Sequence, residues 1–512
     1  MLWLSMKSNL VARTMILALI VLVPAGVAAG EPGTRSLWMQ HGQFTPSARE
    51  VLTALRNVEK FGLDPHNFAD SLAAIDSELG NHADAARLEE LLSSATRRLI
   101  GQLHCGRVDP RAARYELNRQ RAPLDITAAL QKVAAANRPL EVLATFEPQS
   151  AQYGALKQVL ARYRLIRAHP ASLPAPETSP VRAGDAYAGA EKLRRLLAEL
   201  GDLPAPRAHL AEESIYDTEL AAAVAHFQRR HGLDADGVIG PRTFAALTTP
   251  IARRIRQIEF TLERWRWLPD IRPPAVIVNV PQFMLYALPD NADSAATGPL
   301  KLPVIVGQSA KQTPIFDSAI ESIIFRPYWN VPESILRNEL LPSITRDSGY
   351  LARHDMEIVR GDGDDAQVLA PDAASVALLR AGGARLRQRP GANNALGLVK
   401  FVLPNPYSVY LHSTPEAQLF SRDRRALSHG CIRVSDASAL ADYLLKGTPG
   451  NWNPETIEAA TCAATTFTVH LATPIPVYIL YGTVVVDGAG AVLFFDDVYG
   501  YDRRLEDLLA KS

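Results

Sequence analysis

The spacing of apolar residues along this chain changes period, and the changes mark out its elements. From about residue 36 to 180, apolar positions recur every three to four residues in an Ala-, Leu- and Arg-rich background. Ala48-Arg49-Glu50-Val51-Leu52-Thr53-Ala54-Leu55 and Leu88-Glu89-Glu90-Leu91-Leu92 are examples, and they predict a helical scaffold. Residues 169–183, with Pro170, Pro174, Pro176 and Pro180, read as a linker. In 186–250, Leu193, Leu196, Leu197 and Leu200 make one helical stripe, and Leu220, Val224, Phe227 and His231 another. A Gly-containing turn then leads into a third short helix at 243–247. Residues 251–272 read as an amphipathic linking helix with Phe260, Trp265 and Trp267 as anchors. After Pro273-Pro274 the period becomes two. Strands are predicted at 276–280, 284–288, 302–306, 319–325, 399–403, 409–412, 476–481, 484–486 and 492–495, a count that fits a β-sandwich or barrel. Helical and Gly-rich stretches at 329–397 interrupt these strands as a long insertion of the kind that forms a lid or cap.

At 512 residues the chain exceeds one hydrophobic core and predicts two to four domains. Lys+Arg and Asp+Glu both number 54, a balance that argues against nucleic acid as a partner. Residues 1–29 read as an export signal: Lys7 and Arg13 precede the apolar run 15–23, and Val27-Ala28-Ala29 fits a cleavage site. The run is short of the roughly 20 residues that span a bilayer, so an uncleaved anchor is the competing reading. Three cysteines, Cys105, Cys431 and Cys462, are an odd number for an oxidising compartment. If Cys431 stays free, the other two are the candidates for a bridge.

The densest chemistry lies in Ser428-His429-Gly430-Cys431, with His412-Ser413 upstream at the end of a strand. A working thiol needs a base within hydrogen-bond reach and N–H donors for an oxyanion. His412 and His429 both qualify as the base. His412, on a rigid strand, is favoured, because a residue two positions away in a tight turn usually points elsewhere. Gly430 permits close backbone approach. Ser435 or Asp436 caps a following helix, whose N-terminal field would favour a thiolate at Cys431. A buried structural cysteine is the plain alternative. No metal or cofactor is expected, since these residues lack the paired spacings of zinc sites.

The run from His412 through Arg433, in which fifteen residues separate His412 from Ser428, resembles the active-site signature of L,D-transpeptidases, cysteine enzymes that cross-link peptidoglycan. Phe325-Arg326-Pro327-Tyr328-Trp329-Asn330-Val331-Pro332, Asn393-Asn394-Ala395-Leu396-Gly397 and Pro404-Asn405-Pro406-Tyr407 are similar to segments of the large multidomain periplasmic branch. Phe227-Gln228, Gly232-Leu233, Asp236-Gly237 and Gly240 resemble the small three-helix peptidoglycan-binding domain. The resemblance implies a multidomain α+β chain: a helical scaffold, that binding domain, and a mostly β catalytic domain over 273–500 with a capping insertion. It implies Cys431 as nucleophile, His412 as base, and Ser428, His429 and Gly430 shaping the oxyanion pocket. Arg433 stands where other branches have Asn; with Tyr410, Trp329, Asn330 and Ser413 it is a candidate to hold substrate. The implied reaction joins third-position residues of two tetrapeptide stems through a thioester. L,D-carboxypeptidase or other cysteine peptidase activity, and a catalytically degenerate wall-binding role, are the alternatives. Implied partners are peptidoglycan stems and glycan, with cell-wall synthases as candidate protein partners.

Overall fold

A computed structural model describes residues 36–80, 84–166, 173–177, 179–203, 214–289 and 298–511. The signal-like segment 1–29 lies outside the described residues, as do 169–172 and 178 of the expected linker. No helix of the described residues is long and apolar enough to cross a membrane.

The first helices are set by polar caps and one apolar face each. Thr45 caps Pro46–Arg56, and the Asp84 carboxylate accepts from the Ala86 and Arg87 amides at the start of Ala85–Cys105. Leu88, Leu92, Ala95, Leu99 and Leu103 of that helix then face a common core with Val51, Leu55, Leu130 and Leu143. The helix Ala151–Ile166 turns its buried side elsewhere, into a second core shared with Ala190–Leu200 and Thr218–Arg230. There the Gln228 amide knots the turn, donating to Asp236, Val238 and Thr243 and accepting from the Gly237 N–H. Residues in the binding-domain signature thus serve the fold.

The sheet of the C-terminal region is built from β1 (Tyr115–Glu116), β2 (Ala275–Asn279), β3 (Met284–Leu288), β4 (Leu300–Gly307), β5 (Ile315–Phe325), β6 (Val399–Val402), β7 (Leu411–His412), β8 (Ala426–Ser428), β9 (Ile432–Val434) and β10 (Phe467–Leu480). Strands β6-β7-β9-β4-β3-β2-β10-β5 are hydrogen-bonded in that order, and β5 pairs back to β6, so the sheet closes into a barrel. Closure removes the unpaired edges of an open sheet. Phe401, Leu411, Ile432, Val278 and Val477 lie in its core. β8 pairs alongside β4. β1, from the helical N-terminal region, runs parallel to β5. The Asn118 and Arg119 amides donate to the buried Asp317 carboxylate just beyond that pairing.

Two sequence expectations are corrected. Residues 484–486 and 492–494 do not join the barrel; they pair with each other and pack Val484, Val492 and Phe494 into the second core. The linking helix, Ile251–Trp267, is a central strut: Ile255, Ile258 and Leu262 enter the second core while Phe260 and Trp267 enter the barrel core. Two of its arginines are buried as pairs, Arg264 with Asp502 at 2.5 Å and Arg266 with Glu263 at 3.0 Å. Finally, Cys105 and Cys462 are free and exposed, so no bridge joins them.

The insertion is a small α/β unit with its own sheet, in the order Gln367–Val368, Met356–Arg360, Arg385–Gln388, Trp329–Asn330. Its separate core holds Leu336, Ile344, Leu351, Ile358, Leu379 and Leu386. A π-helical turn, Leu336–Leu340, brings it against the barrel.

Candidate active site

Strand register assembles the chemistry. Across β6, β7, β9 and β4 the residues Lys400, His412, Arg433 and Ile305 stand in one row. Side chains alternate faces along a strand, so Phe401, Leu411 and Ile432 point into the barrel while Lys400, His412 and Arg433 share its outer face. Tyr410 and Cys431, each two positions back along parallel neighbours, belong to that same face; the Ile432 amide donates to the Tyr410 carbonyl at 3.1 Å. The spacing that looked long in sequence becomes adjacency in the sheet.

His412 is buried, and its Nδ1 lies 2.6 Å from the Ser413 carbonyl oxygen. A carbonyl only accepts, so Nδ1 carries the hydrogen and Nε2 keeps its lone pair. Burial, reinforced by the Arg433 charge, pushes the imidazole down to about 3 against the pull of the Ser413 and Leu396 carbonyls. The Cys431 thiol is pushed up by burial; the Tyr410 backbone and side chain, then Lys400 and Arg433, pull the other way without prevailing. Both shifts favour a neutral thiol beside a neutral imidazole over an ion pair. The sulfur leans toward the Ser408 carbonyl at 3.8 Å, and no hydrogen bond joins it to His412.

The turn before the thiol is clamped from within. Ser428 Oγ donates to the Cys431 carbonyl at 2.5 Å and accepts from the Gly430 N–H at 3.1 Å, while Thr313 Oγ1 donates to the Gly430 carbonyl at 2.8 Å. Gly430 has φ +119°, a conformation that residues with a Cβ rarely adopt. Its N–H is therefore engaged rather than aimed at an oxyanion. The Cys431 N–H has no acceptor among the described residues. The helix-field expectation fails, because β9 intervenes: Asp436 caps a helix that begins only at Ala437, and such fields fade within a turn.

The other predicted residues divide. His429 faces outward, its Nε2 donating to Glu339 of the insertion at 2.9 Å. Lys311 also donates to Glu339, at 2.8 Å, and these two bonds, Lys311 first, hold that carboxyl below its ordinary value. The insertion is thus latched to the turn that carries the thiol. Arg433 pairs with Glu416 at 2.5 Å. Tyr410 lies under the Lys400 ammonium, 4.1 Å from ring centroid to nitrogen. Ser413 Oγ accepts from the Leu398 and Val399 amides, so the side chain braces the β6 entry and only its carbonyl serves His412. Trp329 packs on the insertion's core and Asn330 accepts from Arg385 at 3.0 Å; neither hydrogen-bonds to the thiol or the imidazole.

Sequence reasoning missed Lys400, Glu339, Lys311 and Thr313. Lys400 was recoverable from strand alternation, since it falls opposite His412 once β6 and β7 are paired. Glu339 and Lys311 carry no local signal. Among the described residues no cluster of three or more His, Cys, Asp or Glu is placed to hold a metal ion.

Comparison with known proteins agrees with this architecture. Residues 273–451 match the family model described as L,D-transpeptidase catalytic domain, 31–160 the one described as Scaffold domain, and 188–247 the one described as "Putative peptidoglycan binding domain". A protein of Haemophilus influenzae named "Putative L,D-transpeptidase" is 31% identical over 250 residues. That match covers 49% of this chain and 49% of the relative, so it spans about half the length of each.

Proposed function

We propose that this protein is a periplasmic L,D-transpeptidase that forms 3-3 cross-links between peptidoglycan tetrapeptide stems through a thioester on Cys431. The observation that carries the reading is the register of β6, β7 and β9, which puts the thiol, Tyr410 and an imidazole with a free Nε2 on one face. The matches to catalytic and peptidoglycan-binding domain models support a cell-wall substrate.

The residues have distinct roles. For the reaction the Cys431 sulfur leaves the Ser408 carbonyl and meets Nε2 of His412. Nε2 takes the thiol proton as sulfur attacks the carbonyl of the third stem residue, and returns it to the departing D-Ala amine. The Cys431 N–H is the backbone donor for the oxyanion. Because the resting pair is neutral, the thiolate forms only when substrate is in place, which protects the sulfur between turnovers. An amine of a second stem then attacks the thioester, giving up its proton to Nε2. Water in its place gives the carboxypeptidase product, so the insertion latched through Glu339 excludes water from the acyl-enzyme.

The test is mass spectrometry of muropeptides after purified protein acts on tetrapeptide-rich peptidoglycan. A 3-3 dimer made by the wild type and absent with Cys431→Ser is expected. Tripeptide product without dimer would replace transferase by peptidase. Carbapenems should add their mass to Cys431, and an unmodified protein would count against the nucleophile.

A further inference from the structure

Two adjoining cavities lie where the three-helix module meets the barrel. The larger, about 370 Å³, runs between Ala245, the central helix at Arg254 and Gln257, and Phe494-Phe495. The smaller, about 160 Å³, continues past His231 and Phe495 to Phe283 and Arg425. They share Arg242 and Asp496, so they form one groove with two chambers. Its far end is the loop that leads, six residues on, to Cys431. Clefts of this size at domain junctions are common ligand sites.

The charge in the groove is incomplete. Arg230, Arg264 and Arg266, buried nearby, each hold a carboxylate, from Asp202, Asp502 and Glu263 respectively. Arg254 does not. It donates to the Gln257 side chain at 3.0 Å and the Ala246 carbonyl at 3.3 Å and lies 4.8 Å from the Phe494 ring, with no carboxylate within ion-pair distance among the described residues. Arg425, in the other chamber, donates to the Val304, Arg422 and Phe283 carbonyls and lies 5.4 Å from the Phe283 ring, with no carboxylate within ion-pair distance among the described residues. Burial pushes Arg254 down to about 10 and lowers Arg425 too, outweighing the pull of Tyr163 and Asp496 on the first and of Asp423 on the second. Of the groove's own acids, Asp423 pairs with Arg242 at 3.5 Å and Asp497 accepts from the Tyr481 hydroxyl at 2.6 Å, while the exposed Asp496 lines both chambers without forming an ion pair with Arg254.

We propose that this groove is a second peptidoglycan site, separate from the thiol, that takes stem-peptide carboxylates at Arg254 and Arg425. Aromatic walls at Phe494 and Phe495 receive the apolar parts of the same chain. The proposal rests on the cell-wall reading above and deepens it: polymer held here lies against the loop that feeds the reactive turn.

Sedimentation of full-length protein with isolated sacculi tests it. Arg254→Gln should weaken binding by about 10-fold, the scale of one charge-assisted hydrogen-bonded contact. Ala245→Glu, at an exposed helix position on the cavity wall, should weaken it comparably without disturbing a buried group. Wild-type protein should bind sacculi whose carboxyls have been amidated as loosely as Arg254→Gln binds native ones. Unchanged binding by both variants, or indifference to amidation, would overturn the site. In parallel, intact mass after incubation with a soluble tetrapeptide donor follows wild-type Cys431. An adduct with unaltered sacculus binding sinks only the groove; no adduct with the binding losses sinks only the transpeptidase reading.

Discussion

Arg264 and Arg266 of the central helix and Lys400 and His412 on the outer face of β6 and β7 show two different treatments of charge-bearing side chains drawn out of water. On the helix, Arg264 meets Asp502 and Arg266 meets Glu263. On the sheet face, Lys400 rests on a Tyr410 ring with no carboxylate within ion-pair distance among the described residues, and His412 is kept neutral beside Arg433. Paired burial holds domains together, because removing either partner strands the other in a poor solvent. Unpaired burial leaves a field that a reacting group can complete. The same residue types therefore carry stability in one place and reactivity in the other.

The sharpest way to break this contrast is His412→Ala. Acylation of Cys431 by a tetrapeptide donor should fall by about 10²- to 10⁴-fold, the range for loss of a general base, while thermal unfolding changes little. A variant that acylates at the wild-type rate would remove the sheet face from the chemistry. Asp502→Ala should do the reverse, costing about 3–5 kcal/mol in denaturant unfolding with the thiol chemistry of the folded fraction retained. Replacing both partners, Arg264→Met with Asp502→Leu, should recover most of that loss, and a double variant as weak as the single one would mean that the pair is not the cause.

The histidine makes the contrast visible in pH. Below pH 6.5 the unfolded chain binds a proton on this imidazole that the folded chain refuses until about pH 3. The unfolded state then holds more protons, so native stability declines across that window as pH falls, by about 1.4 kcal/mol per pH unit. His412→Gln should flatten that acid slope in urea unfolding series at pH 6 and pH 4. The smallest effect expected is at Glu339→Gln, which keeps the shape but weakens the bonds from Lys311 and His429. Iodoacetamide should then alkylate Cys431 a few times faster, roughly the effect of about 0.5–1 kcal/mol, as the insertion opens more often. Equal alkylation rates would mean that the latch does not govern access.

How much of this was legible depended on whether a signal was local. Strand alternation and the His412 to Ser428 spacing were written in short windows, and the barrel strands and the juxtaposition of His412 with the Cys431 turn followed from them. The burial of Arg264 was not, because its partner Asp502 lies 238 residues away. The aromatic anchors of the central helix were legible, but not which of its charges go inside. The same holds for Glu339, whose bond to His429 spans 90 residues. The misplaced helix field at Cys431 had another origin: three residues of strand, Ile432–Val434, were too few to declare themselves between a turn and a capped helix.

Tyr115 and Glu116 extend the barrel from the far side of the chain, and Asp317 is buried against the amides that follow them. Modules of this protein are consequently not interchangeable beads. A transplanted barrel would carry an open flank and a stranded carboxylate unless residues 115–119 travelled with it, so recombination between such proteins has to respect a seam that no linker marks.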